Sequence, residues 1–127
     1  MENFSDEFLQ FLDENTLVEI KSGNHRTKFT EIWMIRIGKR VFARSWNRNV
    51  KGWMHDFLIN NGGQIKYGQK VLNVTVRKID KTDKINKDIS KAYLNKYTQE
   101  YNIEYAKGIS QIEYFDFTLE FKISHKK

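Results

Sequence analysis

The segment FTEIWMIRIGKRVFARS, residues 29–45, decides the fold class of this chain. β-Branched and aromatic residues fill both halves, and Gly38-Lys39 separates them, so we predict a hairpin with strands at Phe29–Ile37 and Arg40–Ser45. From Tyr114 to Ile123, apolar and polar side chains alternate, which predicts a further strand. Shorter strands are predicted at residues 17–20, 63–67 and 71–79.

Three other segments have the spacing of helices with one apolar face. The first lies within residues 1–15, where Ser5 is a plausible N-cap. The second runs from Asn49 to Asn60, with Asn47 or Asn49 as its cap, and Asn61-Gly62-Gly63 ends it. The third begins at Thr82 or Asp83 and reaches about Tyr97.

The predicted elements follow the order helix, three strands, helix, two strands, helix, strand. Because strands dominate and most connections are short, this order favours an antiparallel barrel over a wound parallel sheet. We expect residues 1–127 to form one domain, with the helix of residues 1–15 packed on the barrel.

The composition excludes several classes of protein. The chain has no cysteine, which rules out disulfides, thiolate metal sites and a cysteine nucleophile. Its three histidines lie far apart in the sequence, so we expect no zinc site. The first fifteen residues are acidic and no long apolar stretch occurs. We therefore expect neither a signal peptide nor a membrane span, and a soluble cytoplasmic protein.

The positive charge of the chain is concentrated in residues 21–53. This window contains nine Lys or Arg residues, one acidic residue and all three tryptophans, whereas the rest of the chain has 13 basic and 15 acidic residues. Cations beside aromatic rings suit a planar or phosphorylated anion, because fixed charge attracts the ligand and ring faces accept stacking. The simpler interpretation is a solvated basic face with the tryptophans in the core.

The segment from Arg44 to Trp53 is the candidate binding site. Here the hairpin leads into the central helix, and a helix N-terminus offers unpaired N–H groups and partial positive charge to a phosphate. Gly52 lowers the helix propensity of the first turn, which a close approach of ligand or backbone would explain. The side chains that would add charge or a hydroxyl donor are Arg44, Ser45, Arg48 and Lys51.

Several of these residues have a structural interpretation as well. Trp33 and Trp53 are better explained as core residues, whereas Trp46 suits stacking and a structural role equally. Arg44 ends an apolar strand and needs a counter-anion or solvent, so ligand contact and a structural role both stay open. A second basic segment, residues 25–28, enters the hairpin and can face the same cleft.

Five short motifs follow one another along the chain: Ile20-Lys21-Ser22, Arg26 to Trp33, Ala43-Arg44-Ser45, Lys51-Gly52-Trp53 and Ala92 to Tyr97. Together they resemble the flavin-binding split-barrel superfamily, the relatives of pyridoxamine-phosphate oxidase and of the deazaflavin-dependent nitroreductases. The likeness is greatest to a short, uncharacterised branch and extends from about residue 16 onward.

The resemblance implies a mainly β, six-stranded antiparallel Greek-key split barrel with two or three flanking helices. It also implies a homodimer with a cofactor near the subunit interface. The residues implied to bind the cofactor phosphate are Arg44, Ser45, Arg48 and Lys51. Arg26 and Lys28 would line the same groove, and Trp46 or Trp53 would border the ring. The cofactor itself would transfer hydride, so no catalytic acid or base is expected.

Three functions remain open from the sequence. The first is an oxidoreductase that uses FMN or, as the less favoured alternative, a deazaflavin, because the chain lacks the proline of the deazaflavin pattern and has Asp56 in place of its asparagine. The second is a non-catalytic protein that binds or senses a small anion or cofactor. The third and least favoured is a nucleic-acid binder, which the sequence pI of 9.5 suggests but no motif supports.

Overall fold

The computed structural model describes residues 3–22, 28–46 and 52–124. Within these ranges the chain is mainly β with helices, which confirms the predicted fold class at that level. The helices are α1 (Asp6–Glu14), α2 (Trp53–Asn60), α3 (Ile85–Lys96) and α4 (Ile103–Ile109), with a 3-10 helix at Ile112–Phe117. The strands are β1 (Val18–Ser22), β2 (Thr30–Ile32), β3 (Ile35–Ile37), β4 (Arg40–Arg44), β5 (Gly63–Tyr67), β6 (Lys70–Lys78) and β7 (Thr118–Ile123).

The seven strands of the described residues form one antiparallel sheet in the order β2-β1-β5-β6-β7-β4-β3. The two edge strands, β2 and β3, are consecutive in the chain, and only Trp33 and Met34 separate them. Two residues with their flanking peptide bonds span about 11 Å at most, so the two edges lie close together. The sheet is therefore curled into a half-barrel.

The strand predicted at Phe29–Ile37 is interrupted at Met34, so the prediction of one continuous strand was wrong. The Met34 N–H donates to the hydroxyl of Tyr97 (3.2 Å), and the Met34 C=O accepts from Lys96 Nζ (2.6 Å). Side chains from the end of α3 thus replace a neighbouring strand as partners of this peptide backbone. These partners lie 63 and 62 residues away in sequence, beyond the reach of a local pattern.

Two apolar clusters hold the sheet and helices together. In the first, alternate strand residues such as Ile20, Ile65 and Phe121 pack with Phe8 and Leu12 of α1. Ser5 caps α1 as predicted, because its hydroxyl accepts a hydrogen bond from the Phe8 N–H at 3.1 Å. In the second cluster, side chains on the other face of β3 and β4 pack against α3 and α4. Its central members are Ile35, Phe42, Ile89, Tyr93 and Tyr97.

The central helix begins later than its sequence pattern predicts. We expected a start at Asn49, whereas α2 starts at Trp53 and Gly52 is its N-cap with extended backbone. Gly52 therefore lies outside the first turn, and glycine is well tolerated at an N-cap, so no ligand is needed to explain it. The predicted caps at residues 47 and 49 lie outside the described residues. The predicted end is confirmed, because Asn61 has the left-handed conformation, with φ of 54°.

The last quarter of the chain contains helical elements that the sequence pattern did not predict. Helix α4 was missed, and the 3-10 helix occupies Ile112–Phe117, where alternation predicted a strand from Tyr114. Strand β7 begins only at Thr118. Its apolar residues Leu119, Phe121 and Ile123 pack on one face as predicted, but Thr118 and Glu120 between them are buried as well. Tyr114 stacks on Trp46. This contact is distant in sequence, so the local alternation of apolar and polar residues could not predict it.

Candidate functional site: a tryptophan-lined pocket

A cavity of about 380 Å³ lies where β2, the end of β4, and helices α2 and α4 meet. Its size is within the range of small-molecule sites, near the lower end. All three tryptophans of the chain contribute to its wall, and we call it the tryptophan pocket. Its lining residues are Leu17, Thr30, Glu31, Ile32, Trp33, Arg44, Trp46, Trp53, Tyr105 and Ile109.

Trp46 is 48% exposed, yet several contacts fix its position. Its ring stacks on Tyr114 with 5.5 Å between centroids and meets Tyr105 edge-on at 5.6 Å. The hydroxyl of Tyr114 also donates to the Trp46 C=O at 3.2 Å. On α4, a Cβ atom at Gly108 would lie only 2.9 Å from Trp46 Cη2, so glycine allows this close contact. The exposed aromatic face is therefore held rigidly beside the cavity.

Trp33 and Trp53 serve the core and the tryptophan pocket together. Trp33 stacks on Tyr97 with 3.9 Å between centroids and only 8° between ring planes. Trp53 packs edge-on against Phe57 at 5.9 Å and is stacked at 6.3 Å from Phe121. Both tryptophans are partly buried and both line the cavity, so the core and ligand-stacking interpretations of the sequence are compatible.

Arg44 is buried, with 2% exposure, and protein atoms occupy its hydrogen-bonding capacity. Nε donates to Thr118 Oγ1 (3.0 Å), and Nη1 donates to Ser90 Oγ (2.8 Å) and to the Ile109 C=O (3.0 Å). Nη2 donates to the backbone and side-chain oxygens of Asn86, at 3.0 and 3.4 Å. A guanidinium has five N–H groups, so none remains for a ligand phosphate in this arrangement.

The acceptors around Arg44 are all neutral. Its guanidinium also lies over the ring of Phe115, 5.0 Å from the centroid, and 5.9 Å from the ring centroid of Tyr93. Burial lowers the pKa of the Arg44 guanidinium to about 10. The Tyr93 hydroxyl accepts the Arg44 backbone N–H at 2.8 Å, and burial raises the pKa of Tyr93 to about 12. Arg44 is thus a hydrogen-bonded cation in the wall, positioned by α3 and α4.

The basic window of the sequence does not form one basic surface in the described structure. Arg36 pairs with Asp13 at 2.6 Å, which joins the sheet to α1, and Arg40 of β4 pairs with Glu120 of the neighbouring strand β7 at 2.9 Å. Arg44 is buried as described above. Arg40 and Arg44 share one face of β4, whereas Arg36, which is opposite Val41, lies on the other face, so the cations of the window are separated by face and by burial.

Three of the eight predicted ligand-binding residues line the tryptophan pocket: Arg44, Trp46 and Trp53. Ser45 is buried, and its N–H donates to the Phe117 C=O at 3.0 Å. Lys28 is exposed and lies two residues before Thr30, which lines the pocket. Arg26, Arg48 and Lys51 lie outside the described residues, so their predicted roles remain predictions.

Seven of the ten lining residues of the tryptophan pocket were not among the predicted site residues. Tyr105 and Ile109 come from α4, and the spacing of Ile103, Ala106 and Ile109 was the available signal for that helix. Leu17 and the residues of β2 enter the pocket because the curled sheet brings its edge to the end of β4. That arrangement depends on long-range pairing and has no local sequence signal.

The tryptophan pocket has few charged side chains among the described residues. Among the described lining residues, only Glu31 and Arg44 carry charge. No group of three or more His, Cys, Asp or Glu side chains within residues 3–22, 28–46 and 52–124 is placed to hold a metal ion. Across the same ranges, no helix combines the length and apolar character required to cross a bilayer.

Residues 9–121 match the model of a family described as "Uncharacterized protein conserved in bacteria (DUF2255)". The chain belongs to this family. The matched region contains every lining residue of the tryptophan pocket, so the pocket lies within the family domain. No curated protein and no solved structure matches the chain. The family description states no activity, and the geometry of the pocket is therefore the basis for a functional proposal.

Proposed function

We propose that this protein binds a planar aromatic ligand in the tryptophan pocket. The observation that carries the proposal is the convergence of Trp33, Trp46 and Trp53 with Tyr105 around one cavity. Aromatic faces that are held in place stack on flat rings at little cost in conformational entropy, since Trp46 is already fixed by Tyr114 and Gly108. The apolar wall suits a ring system better than a free phosphate or sugar.

FMN is the ligand that we propose, because the sequence resembles the flavin-binding split barrels and the tryptophans of the wall offer faces on which a flavin ring would stack. The phosphate requires cations outside this wall, since protein oxygens occupy the N–H groups of Arg44. Lys28, at the approach to β2, is exposed and available for this role. Arg26, Arg48 and Lys51 complete the proposed phosphate ligands, with deazaflavin as the less favoured cofactor.

Bound FMN would supply hydride or electron transfer, and the protein would then be an oxidoreductase of unidentified substrate. The residues of the pocket would bind and orient the ring, while Arg44 would place a fixed positive charge in the wall behind it. The hydrogen bonds from Arg44 to Asn86 and Ile109 hold that charge in position. No side chain is assigned a proton-transfer role.

Tyr105 and Tyr101 provide a matched test of this proposal. Both are exposed, at 56% and 74%, but only Tyr105 lines the pocket and contacts Trp46. We expect Tyr105→Ala to weaken FMN binding by about 2- to 10-fold, the value of one aromatic contact, and Tyr101→Ala to leave it unchanged. Fluorescence titration of the purified protein measures both affinities. Equal affinity of the two variants would contradict the site, and no FMN binding by the wild type would contradict the ligand.

Binding without catalysis is the second candidate function. The same aromatic wall supports it, because stacking of a flat ligand on the tryptophans does not itself require a reaction. The two candidates differ in whether NADPH reduces bound FMN faster than free FMN, which loss of flavin absorbance measures. Tight FMN binding with no acceleration would favour a binding or sensing protein.

The resemblance also leads us to propose a six-stranded Greek-key split barrel and a homodimer. The separation of β2 and β3 by only two residues supports the first proposal, because counting them as two halves of one strand gives six. Sedimentation equilibrium tests the second, for which a monomer at micromolar concentration would be the contrary result. Nucleic-acid binding is disfavoured because Arg36, Arg40 and Arg77 are paired with carboxylates.

A further inference from the structure

A second cavity, of about 390 Å³, lies between α1, β3 and the C-terminal half of α3. We call it the Lys96 cavity; it is lined by Leu12, Asp13, Ile35, Arg36, Ala92, Asn95 and Lys96. Its residues are distinct from those of the tryptophan pocket. In contrast to that pocket, it contains an amine, a guanidinium and a carboxylate in one place.

Lys96 is partly buried, and the acceptor of its ammonium is a backbone carbonyl. Nζ donates to the Met34 C=O at 2.6 Å and lies 5.2 Å from the ring centroid of Tyr97. The nearby carboxylate of Asp13 is engaged by Arg36, whose Nε and Nη2 donate to it at 2.9 and 2.6 Å. Burial lowers the pKa of Lys96 to about 8, and the more distant charge of Asp13 opposes this only in part.

Arg36 gives the same cavity a binding group for an anion. Three of its five N–H groups donate to described acceptors, two to Asp13 and one from Nη1 to the Gly38 C=O at 2.9 Å. The remaining N–H groups of Nη1 and Nη2 can donate to a phosphate oxygen. A nucleophilic amine and a phosphate-binding guanidinium therefore line one cavity.

We propose that Lys96 is a site of covalent acylation by small anionic acyl donors of the acyl phosphate class. The unprotonated Nζ attacks the acyl carbon, and a C–N bond forms. The bond between that carbon and the phosphate oxygen breaks, and phosphate leaves with the electron pair. The second Nζ proton passes to water, so the products are an N-acyl-lysine and free phosphate.

The position of Lys96 gives acylation a structural consequence. Its ammonium supports the Met34 carbonyl at the break between β2 and β3, and Trp33 immediately precedes this residue. Acylation removes the positive charge and adds bulk beside the segment that carries Trp33 into the tryptophan pocket. The proposal does not depend on the identity of the ligand in that pocket.

Acetyl phosphate is the probe, and Lys91 is the internal control. Lys91 lies on the same helix, α3, but is exposed. After brief exposure of the wild-type protein at about pH 7.5, peptide mass spectrometry measures acetylation of each lysine. We expect Lys96 to react about tenfold faster than Lys91, and the rate at Lys96 to level off above about pH 8.

Equal or slower reaction of Lys96 would overturn the proposal. N-Hydroxysuccinimide acetate is an acetyl donor without a phosphate, so it tests whether Arg36 binds the phosphate of the donor, and the protein need not be altered. We expect the preference for Lys96 over Lys91 to be larger with acetyl phosphate than with this reagent. An identical preference with both reagents would overturn the assignment of Arg36 as the phosphate-binding group.

Discussion

The guanidinium of Arg44 is buried without a carboxylate partner, and its N–H groups donate to neutral oxygens of Thr118, Ser90, Ile109 and Asn86. Such a cation connects strand β4 to helices α3 and α4 through several hydrogen bonds. Arg44 therefore shapes the pocket wall and adds a positive electrostatic potential inside the pocket. It does not contact a phosphate directly.

Replacement of Arg44 by methionine is expected to destabilise the protein by about 3 kcal/mol, because the Asn86 and Ile109 carbonyls lose their partner while the side-chain volume is kept. The free energy of unfolding in urea measures this effect. Arg36→Met is the control, with an expected cost below about 1 kcal/mol, since the Arg36–Asp13 pair is largely solvent-exposed. Similar costs for the two variants would contradict the structural role of Arg44.

Helix α4 contacts the segment after β4 through Gly108 and Trp46. A Cβ at Gly108 would lie 2.9 Å from Trp46 Cη2, the far end of a side chain that can shift. We expect Gly108→Ala to displace the ring and weaken FMN binding about 3-fold or more. Stability should change by less than about 1 kcal/mol, because alanine also favours the helix. Unaltered FMN affinity in the fluorescence titration would show that FMN binding does not depend on the position of the Trp46 ring.

The start of β5 is confined between two neighbouring strands. A Cβ at Gly63 would lie 2.3 Å from the Lys21 carbonyl oxygen, which is backbone and cannot move away cheaply. We expect Gly63→Ala to cost more than about 3 kcal/mol or to prevent folding. Gly68→Ala is the matched control, because that glycine has a φ of 58° but open space around it, and its expected cost is about 1 kcal/mol. Thermal unfolding compares the two.

Local pattern predicted those elements whose residues alternate or repeat over several turns, such as β5, β6 and α1. It failed where a distant residue decides the structure. Tyr97 and Lys96 interrupt the strand at Met34, and Trp46 stacks on Tyr114 within the 3-10 helix. The same limit applies to the pocket, since its three tryptophans are visible in the sequence but their convergence is not.

The whole molecule is expected to lose stability in acid through Glu120. This buried carboxylate bridges Arg40 and Arg77, at 2.9 and 2.8 Å. Burial by itself would raise the pKa of Glu120, but the hydrogen bonds from the two arginines outweigh it and hold the pKa below the ordinary value of 4.5. A carboxyl whose pKa is lowered by folding stabilises the protein above its unfolded pKa, and this contribution is lost as pH falls through the folded value.

Urea unfolding at a series of pH values between about 6 and 3 tests this linkage. Wild type should lose on the order of 1 kcal/mol more than Glu120→Gln over the interval. Glu104→Gln is the control for removing an exposed carboxylate, which lies 3.6 Å from Lys107. Parallel curves for wild type and Glu120→Gln would contradict the assignment.

The indole N–H signals in a proton–nitrogen correlation spectrum show whether the three tryptophans form one ligand site. Titration with FMN is expected to shift the signals of Trp33, Trp46 and Trp53 together with a single affinity, and Tyr105→Ala should weaken all three shifts equally. Indole signals that stay in place up to about millimolar FMN would contradict the proposed site.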